Sequence, residues 1–301
     1  MKIAVFTKNR TNPAYRAARL GADRAAQRFG AQTEHFVPER GDDPVEQSAL
    51  IERALAERPD AIVLAPVHTT RVNAAIERIH DAGVPLFGFV NPIPGGRCVS
   101  CVGADDAALG RKIAEYLLAH LGGRGTLLLV SGPADSVTSM ARMHAFEEAA
   151  AKQPGIRVVG TCAGHYARDV ARDAVARWLA ANRAPDACLA ANDVMALGAL
   201  DALREAGGDA RLKTAVAGVN AIPEAIASIK HGAMLATVDF NAMSMAALAT
   251  ECAVRHLRGE PVPKTIELPA EIVDHGNCLR WDLPFEQRPI PTLEETLRSP
   301  A

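Results

Sequence analysis

The sequence has no excess of charge of one sign. Over 301 residues, 33 Lys and Arg residues are balanced by 35 Asp and Glu residues, and no stretch concentrates the basic ones. A protein that binds nucleic acid through its phosphates usually carries a basic patch. We therefore expect no nucleic-acid partner.

Long hydrophobic runs are also missing. Apolar runs such as residues 61–67 and 126–130 fall far short of the ~20 residues that cross a bilayer. The first residues enter a strand pattern at once, without the apolar region and cleavage site of a signal peptide. We expect no membrane span. The protein is then either cytoplasmic or exported by a segment outside this sequence, and the sequence leaves both open.

The motifs that commonly carry catalysis or cofactors are absent. There is no G-x-x-x-x-G-K-[ST] loop, no G-x-G-x-x-G after a strand, no G-x-S-x-G and no H-E-x-x-H. The nine histidines are scattered, with no spacing that suggests a catalytic pair. We expect a protein that is not an enzyme and that uses neither a cofactor nor a metal.

Cysteines are few, and one pair has a suggestive spacing. Cys98 and Cys101 form a C-x-x-C sequence, but it falls in a predicted strand. Residues three apart on a strand are separated by about 10 Å, more than the ~7 Å between Cα atoms that a disulfide tolerates. No second pair completes a zinc site. We expect the six cysteines to be small buried apolar side chains.

What the sequence does contain is a regular alternation of short aliphatic runs and amphipathic stretches. Residues 61–64 are typical of a buried strand, and residues 107–121 have the apolar spacing of a helix. Such alternation favours parallel sheets covered by helices on both faces. Because the pattern runs twice, over residues 3–103 and 125–238, we predict an α/β protein with two doubly wound parallel-sheet lobes.

Polar residues follow the predicted strands. In doubly wound sheets, ligands bind beyond the carboxyl ends of the strands. Here those loops carry Asn, Asp, Arg, His and Ser with few apolar anchors, which suits a small, polar, uncharged molecule. Lys8 and His68 lie in such loops. Aromatic residues are only 4% of the chain, so a stacking wall must be sparse; Tyr15 and Phe89 are candidates, although Phe89 is equally well placed to be sheet core.

Two further polar residues point to a binding role. Arg142 lies in the first turn of a predicted helix, where the helix dipole disfavours a cation, so we expect a carboxylate or a ligand oxygen beside it. The alternative is a solvated surface arginine. Asn192 and Asp193 open another helix, and one of them caps it. Asn192 is the better ligand candidate, because an amide offers both donors and an acceptor to a hydroxyl group.

Three segments of the sequence resemble the type I periplasmic sugar-binding proteins, in particular the ribose-type receptors of ABC importers. The segments are F-T-K-N-R-T-N-P-A-Y at residues 6–15, A-N-D-V-M-A-L-G-A-L at 191–200 and I-K-H-G-A-M-L-A-T-V at 229–238. Sugar-sensing domains of related repressors share the fold. The resemblance covers nearly the whole chain up to about residue 268.

The resemblance implies two lobes joined by three hinge crossings, near residues 103–105, 238–239 and 267–270. The first lobe would comprise residues 1–104 and 239–268. The second would comprise residues 105–238 and 269–301, including a tail from residue 276 that lies beyond the matched region.

The resemblance also implies ligand-binding residues. Asn12 and Tyr15 match the family's N-P-F-F motif, with Ala14 in place of its first aromatic residue. Arg142 matches an arginine that grips sugar hydroxyls, and Asn192 matches a binding asparagine. Asn220 stands where the family has an aspartate, and Asn91 is the nearest substitute for a missing Asp-Arg pair. With the loop residues and Phe240, the expected ligand set is Lys8, Asn12, Tyr15, His68, Phe89, Asn91, Arg142, Asn192, Asn220 and Phe240.

These observations together predict a solute-binding protein. We expect it to capture a monosaccharide, a deoxy or branched sugar or a short polyol by hinge closure, and to deliver it to an ABC importer permease. The resemblance implies a periplasmic monomer. The alternative is a cytoplasmic ligand-sensing regulatory domain of the same fold, and an enzyme of flavodoxin-like fold is a third interpretation.

Overall fold

The computed structural model describes residues 1–93, 97–207 and 213–298. The chain divides into two compact units. Unit 1 comprises Met1–Ala104, Asn241–Pro269 and Phe285–Ala301, and unit 2 comprises Asp105–Phe240 and Ala270–Pro284.

Unit 1 is built on a six-stranded parallel sheet in the order β11-β5-β4-β3-β1-β2. Its strands are β1 (Lys2–Phe6), β2 (Gln32–Phe36), β3 (Ala61–Leu64), β4 (Leu86–Val90), β5 (Ser100–Gly103) and β11 (Thr265–Glu267). Its helices are α1 (Pro13–Arg28), α2 (Pro44–Ala56), α3 (Asn73–Asp81), α9 (Ala242–Leu257) and α10 (Leu293–Arg298). Strands β3 and β4 are buried throughout, as expected for a sheet covered on both faces.

Unit 2 repeats the plan with one difference. Its sheet has the order β12-β10-β9-β8-β6-β7, and only the edge strand β12 is antiparallel. The strands are β6 (Arg124–Ser131), β7 (Gly155–Ala163), β8 (Ala187–Ala190), β9 (Ala215–Val219), β10 (Ala236–Asp239) and β12 (Glu271–Asp274). The helices are α4 (Asp106–His120), α5 (Val137–Ala151), α6 (Arg168–Ala181), α7 (Asp193–Ala206) and α8 (Pro223–Lys230). The predicted fold class, two doubly wound α/β lobes, is confirmed.

Close helix packing relies on glycine at two places. In unit 1, a Cβ at Gly21 of α1 would lie 2.1 Å from the carbonyl oxygen of Met243 in α9. In unit 2, a Cβ at Gly198 of α7 would lie 2.2 Å from the carbonyl oxygen of Arg168 in α6. Because no side chain fits in these gaps, each glycine lets two helices approach closely.

The tail divides between the two units, which differs from the predicted boundaries. Phe285 and Ile290 pack with Ala17 of α1 and Met243 of α9 in a buried cluster of unit 1. The backbone N–H of Leu293 donates to the buried carboxylate of Glu251, 3.0 Å away. These contacts place the residues from 285 onward in unit 1, not in the lobe to which the prediction assigned them. The chain therefore passes between units after residues 104, 240, 269 and 284.

No helix in the described ranges has the length and apolar character that crossing a bilayer requires.

Candidate functional site

Arg142 is the centre of a polar network at the carboxyl edge of the unit 2 sheet. Only 2% of its surface is exposed. Its Nε and Nη2 atoms lie 2.9 and 2.7 Å from Oδ1 of Asp106, which is in the first turn of α4. Its Nη1 atom donates to the carbonyl oxygen of Ala191, 2.8 Å away, and to Oδ1 of Asn220, 3.4 Å away. The carboxylate expected beside Arg142 is therefore Asp106, and the alternative of a solvated surface arginine is wrong.

Arg142 meets residues that follow three neighbouring strands. Ala191 comes after β8, Asn220 after β9 and Phe240 after β10, and the guanidinium carbon lies 5.1 Å from the centre of the Phe240 ring. A cation over an aromatic face is attracted by the ring's quadrupole. Among the described residues, hydrogen bonds and the ion pair use one N–H on Nε, two on Nη1 and one on Nη2. Within the described ranges, one of the five guanidinium N–H donors therefore has no hydrogen-bond acceptor.

Asn192 caps α7 with one end of its amide. Its Oδ1 atom accepts from the backbone N–H of Met195, 2.9 Å away. This bond holds the side chain in place, since an N-cap residue satisfies an otherwise unpartnered helix N–H. The two N–H donors of the same amide have no hydrogen-bond partner within the described part of unit 2.

Asp193 is fully buried beneath this network. Its Oδ1 accepts from the hydroxyl of Thr237 at 2.7 Å, and its Oδ2 accepts from the backbone N–H of Ile222 at 3.0 Å. Burial raises the pKa of Asp193 to about 7, although these two hydrogen bonds and the charge of Arg142 oppose the rise. Through these two bonds Asp193, which follows β8, is connected to the loop after β9 and to β10. The N-cap of α7 is Asn192 and not Asp193.

The loop after β9 has an unusual backbone that presents Asn220. The φ angles of Asn220 and Ala221 are 125° and 51°. Such values are uncommon outside glycine and persist only where the surroundings hold them. Here the N–H of Asn220 donates to the carbonyl oxygen of Val238 at 2.9 Å, and the N–H of Ala221 donates to the Thr237 hydroxyl at 3.3 Å.

Tyr166 is a residue at this edge that the sequence analysis missed. It follows β7 with a φ of 60°, and its hydroxyl lies 3.0 Å from that of Ser136, the cap of α5. A Cβ at Gly132, just after β6, would lie 2.5 Å from the tyrosine ring. The glycine therefore makes room for the ring beside the helix that carries Arg142. The only sequence signal was an aromatic residue in a loop after a strand.

In unit 1, Asn12 repeats the arrangement of Asn192. It caps α1, its Oδ1 accepts from the backbone N–H of Ala14 at 3.0 Å, and Pro13 follows at the first helical position as predicted. The described part of unit 1 supplies no hydrogen-bond partner for the N–H donors of its amide. Tyr15 lies in the same first turn and is buried to 7% exposure.

Lys8 follows β1 and is almost completely buried. Its carbonyl oxygen accepts from the N–H of Asp42 at 2.9 Å, and the Asp42 carboxylate accepts from the amide of Asn9 at 2.9 Å. Burial raises the pKa of Asp42, while the charge of Lys8 and the bond from Asn9 oppose the rise. The positive charge of Lys8 therefore has a nearby counter-charge in the same unit, the carboxylate of Asp42.

Asn91 follows a strained residue at the end of β4. Val90 has a φ of 69°, which is exceptional for a β-branched side chain. The N–H of Asn91 folds back to the carbonyl oxygen of Phe89 at 2.9 Å, and the side chain is 7% exposed. Strain of this kind is often held at functional sites.

Phe89 and His68 fit local roles in unit 1. Phe89 has no exposed surface, and its partner across β4 and β5 is Val102, which favours the alternative of a core side chain. The Nδ1 atom of His68 accepts from the backbone N–H groups of Thr70 and Arg71 at 3.1 and 3.3 Å. The His68 side chain therefore stabilises the turn that it forms with Thr70 and Arg71.

The arrangement offers hydrogen-bond donors on rigid supports. In unit 2 the structure brings Arg142 together with Asp106, Asn220 and Phe240. Asn192 and Asp193 come directly after Ala191, whose carbonyl oxygen accepts from Arg142, and Tyr166 lies at the same edge of the sheet. In unit 1, Asn12 and Tyr15 lie at the start of α1, Lys8 follows β1 and Asn91 follows β4. In the described residues, no group of three His, Cys, Asp or Glu side chains could hold a metal ion.

Known proteins of similar sequence and structure share this plan. A family model described as a periplasmic binding protein domain matches residues 3–261. A ribose import binding protein of Bacillus subtilis is 26% identical over 90% of this chain and 85% of its own. A xylitol-binding protein of Mycolicibacterium smegmatis is 26% identical over 64% of this chain, and the match spans 54% of that protein.

A solved structure gives the same result for the fold. The myo-inositol binding protein of Caulobacter, with myo-inositol bound, superposes with a TM-score of 0.85 at 27% identity, over 93% of this chain and 95% of its own. The resemblance drawn from the three sequence segments is confirmed, and so is the expectation of a receptor in place of an enzyme. The chain belongs to the periplasmic binding protein family, whose members are solute-binding receptors.

Proposed function

We propose that this chain binds a small, uncharged, polyhydroxylated ligand and delivers it to the permease of an ABC importer. The ligand class comprises monosaccharides, deoxy or branched sugars and short polyols. The observation that carries the proposal is the buried Arg142, fixed between Asp106 and the residues that follow β8, β9 and β10. A guanidinium held this firmly donates to hydroxyl oxygens without paying to be ordered first.

Charge supports an uncharged ligand. Arg142 is already matched by Asp106, and the charge of Lys8 is accompanied by Asp42. A charged ligand would therefore have to be desolvated without gaining a counter-charge, which is costly in a buried site. Hydroxyl groups carry no such cost and accept hydrogen bonds from the amides of Asn12 and Asn192.

The relatives support the same class. Xylitol, ribose and myo-inositol are uncharged, and each carries several neighbouring hydroxyl groups. Within that class, we propose a ligand other than D-ribose. Asn91 stands where the family resemblance implies an Asp-Arg pair, and Asn220 stands in place of an aspartate, so two charged clamps on hydroxyl groups are replaced by neutral amides.

The mechanism we propose is closure on the ligand. A ligand that contacts Arg142 and Asn192 in unit 2 as well as Asn12 and Tyr15 in unit 1 would favour the closed state by its extra contacts there. We further propose a periplasmic location and a monomeric receptor, as the family resemblance implies.

A thermal-shift screen tests the proposal directly. The panel contains pentoses, hexoses, tetritols, pentitols and inositols at about 1 mM, with glucuronate as a charged comparison. A ligand with a micromolar Kd adds roughly 4 kcal/mol by mass action, which raises the Tm by several degrees at about 2–4 °C per kcal/mol. We expect at least one neutral compound to raise the Tm and glucuronate to leave it unchanged.

Arg142→Ala locates the site, with Arg168→Ala as its matched control. Arg168 is also in unit 2 and also pairs with an aspartate, Asp201, but on the surface. We expect calorimetry to show at least a 100-fold weaker binding of the identified ligand by Arg142→Ala and no change for Arg168→Ala. Equal affinities of Arg142→Ala and the parent would place the ligand elsewhere. No response to any neutral compound would contradict the ligand class.

A further inference from the structure

Cys98 and Cys101 of unit 1 bring their sulfur atoms together. The two Sγ atoms are 2.6 Å apart. An S–S bond is about 2.04 Å long, and non-bonded heavy atoms normally stay beyond about 3.5 Å. The strand geometry expected from the sequence is wrong here, because residues 98 and 99 form a bend and β5 begins only at Ser100. The bend lets the first sulfur reach the second.

Gly88 makes the space for this contact. It lies opposite Cys101 in the pairing of β4 with β5. A Cβ at Gly88 would be 2.6 Å from Sγ of Cys101 and 2.8 Å from Cγ1 of Ile93. The Cys101 sulfur therefore packs against β4 and close to Ile93, which follows that strand.

The surroundings distinguish the two thiols. The contact with Cys98 lowers the pKa of Cys101 to about 7, and the backbone N–H groups of Ile93 and Gly88 and the charge of Lys264 act in the same direction. The same contact, with burial, raises the pKa of Cys98. Since the thiolate is the nucleophile, Cys101 is the attacking group and Cys98 the second, resolving group. Cys98 is buried and Cys101 is partly exposed, which is the order of access that this chemistry needs.

We propose that Cys98 and Cys101 are a redox pair that closes to an intrachain disulfide, and that this bond braces residues 90–93. The oxidant is a disulfide of a small thiol or of a thiol oxidoreductase. Disulfides persist in oxidising compartments and are kept reduced in the cytosol. The inference concerns a covalent modification of unit 1 and does not depend on which ligand the protein binds.

The step balances as a thiol–disulfide exchange. The Cys101 thiolate attacks one sulfur of the oxidant, forms a mixed disulfide and releases the oxidant's other sulfur as a thiolate. The Cys98 thiol then loses its proton, attacks Sγ of Cys101 and expels the remaining oxidant sulfur. The protein loses two protons and two electrons, and the oxidant is reduced to two thiols.

The other four cysteines serve as internal controls. Cys162, Cys188, Cys252 and Cys278 are buried. Burial raises the pKa of Cys162, Cys188 and Cys252, so these thiols stay protonated. We expect them to remain reduced under conditions that oxidise the pair.

The test counts thiols in the purified full chain. After treatment with oxidised glutathione and removal of the excess, the protein is denatured and titrated with a thiol reagent. The six cysteines should give six free thiols after reduction and two fewer after oxidation. Trypsin cleaves after Arg97 and Arg111, so one peptide carries both Cys98 and Cys101 and no other cysteine. That peptide should become about 2 Da lighter, the mass of two hydrogens.

Variants separate this pair from the others. Cys98→Ser should lose one thiol as a glutathione adduct trapped on Cys101, because the resolving thiol is missing, whereas Cys252→Ala should still lose two thiols and carry no adduct. Six thiols in the oxidised parent, two glutathione adducts on the 98–111 peptide, or a bond that joins other cysteines would each overturn the proposal. The parent alone decides this even if a variant fails to fold.

Hydrogen exchange tests the bracing. Amides of residues 90–93 should exchange at least several-fold more slowly in the oxidised parent than in the reduced parent, because the bond limits local opening of this segment. In Cys101→Ser, which lacks the attacking thiolate, the same amides should exchange at one rate under both conditions. Equal exchange in the oxidised and reduced parent would overturn the bracing role.

Discussion

The two units hold similar polar side chains by different means. In unit 2, Arg142 lies in a buried network in which Asp106, Asn220 and Phe240 each contact it directly. In unit 1, Asn12 is held mainly by the end of a helix, and Asn91 by a turn of its own backbone. Under the proposed function, a change at Arg142 should alter both ligand affinity and the stability of unit 2, whereas a change at Asn12 or Asn91 should alter stability much less.

The largest effect should come from breaking the ion pair of unit 2. Arg142→Met keeps the length of the side chain but leaves Asp106 without its counter-charge. We expect a loss of about 3–5 kcal/mol in the free energy of unfolding, because one partner of a buried pair is removed. The double variant Arg142→Met/Asp106→Leu should recover most of this loss while ligand binding stays abolished. Urea denaturation and calorimetry measure the two quantities. If Arg142→Met were as stable as the parent, the ion pair would not stabilise unit 2, and the two units would not differ in this respect.

The next effect is a pH dependence that comes from Asp193. Its pKa is raised to about 7 in the folded protein, against an ordinary value near 3.9 in the unfolded chain. The folded state therefore holds this proton more tightly, so its contribution to stability is complete below about pH 4 and declines as the pH rises to about 7. We expect the free energy of unfolding of the parent minus that of Asp193→Asn to fall across this range. A difference that is flat or rises between pH 4 and 7 would contradict the assignment.

A matched pair of caps compares the units directly. Asn192→Ala and Asn12→Ala each remove a helix cap, so each should cost about 1 kcal/mol of stability. Each should also weaken ligand binding at least tenfold, because a donor to the ligand is lost. Asp43→Ala, which removes the cap of α2, should lower stability alike and leave affinity unchanged. If Asn12→Ala behaved as Asp43→Ala does, unit 1 would not contribute this donor.

The smallest effect separates strain from function at one residue. Asn220→Gly relieves a backbone with a φ of 125° but removes the oxygen that accepts from Arg142. We expect stability to stay level or rise by about 1 kcal/mol, since glycine adopts this conformation freely, while ligand affinity falls. Thermal unfolding and calorimetry on the same sample give both results. Loss of stability together with unchanged affinity would reverse the interpretation.

Much of this could be predicted from the sequence because the signals are local. The alternation of short aliphatic runs with amphipathic stretches predicts the doubly wound sheets, and Asn12-Pro13 predicts the start of α1. The sequence also predicted a carboxylate beside Arg142, which Asp106 supplies, but the stated reason was wrong, because α5 begins at Val137 and Arg142 lies in its second turn. The resemblance in three segments added the ligand-binding residues, which remain proposals.

What could not be predicted depends on contacts between distant segments. Asp106 is 36 residues from Arg142, and nothing in the local pattern pairs them. The burial of Asp193 follows from Thr237 and Ile222 closing over it, which a helix-start motif does not reveal. The strand periodicity around Cys98 was misleading because the chain bends two residues before β5. The sequence prediction placed the whole tail in the second lobe. Phe285 and Ile290 instead pack against apolar residues of α1 and α9, which belong to unit 1.

The split tail also sets the order in which the protein can be completed during synthesis. Domains usually fold as units, with the N-terminal one first. Here unit 2 lacks an edge strand until residue 274 has been made, and unit 1 lacks Phe285, Ile290 and the helix that begins at Leu293. Unit 1 supplies the first residues of this sequence and is nevertheless completed after unit 2.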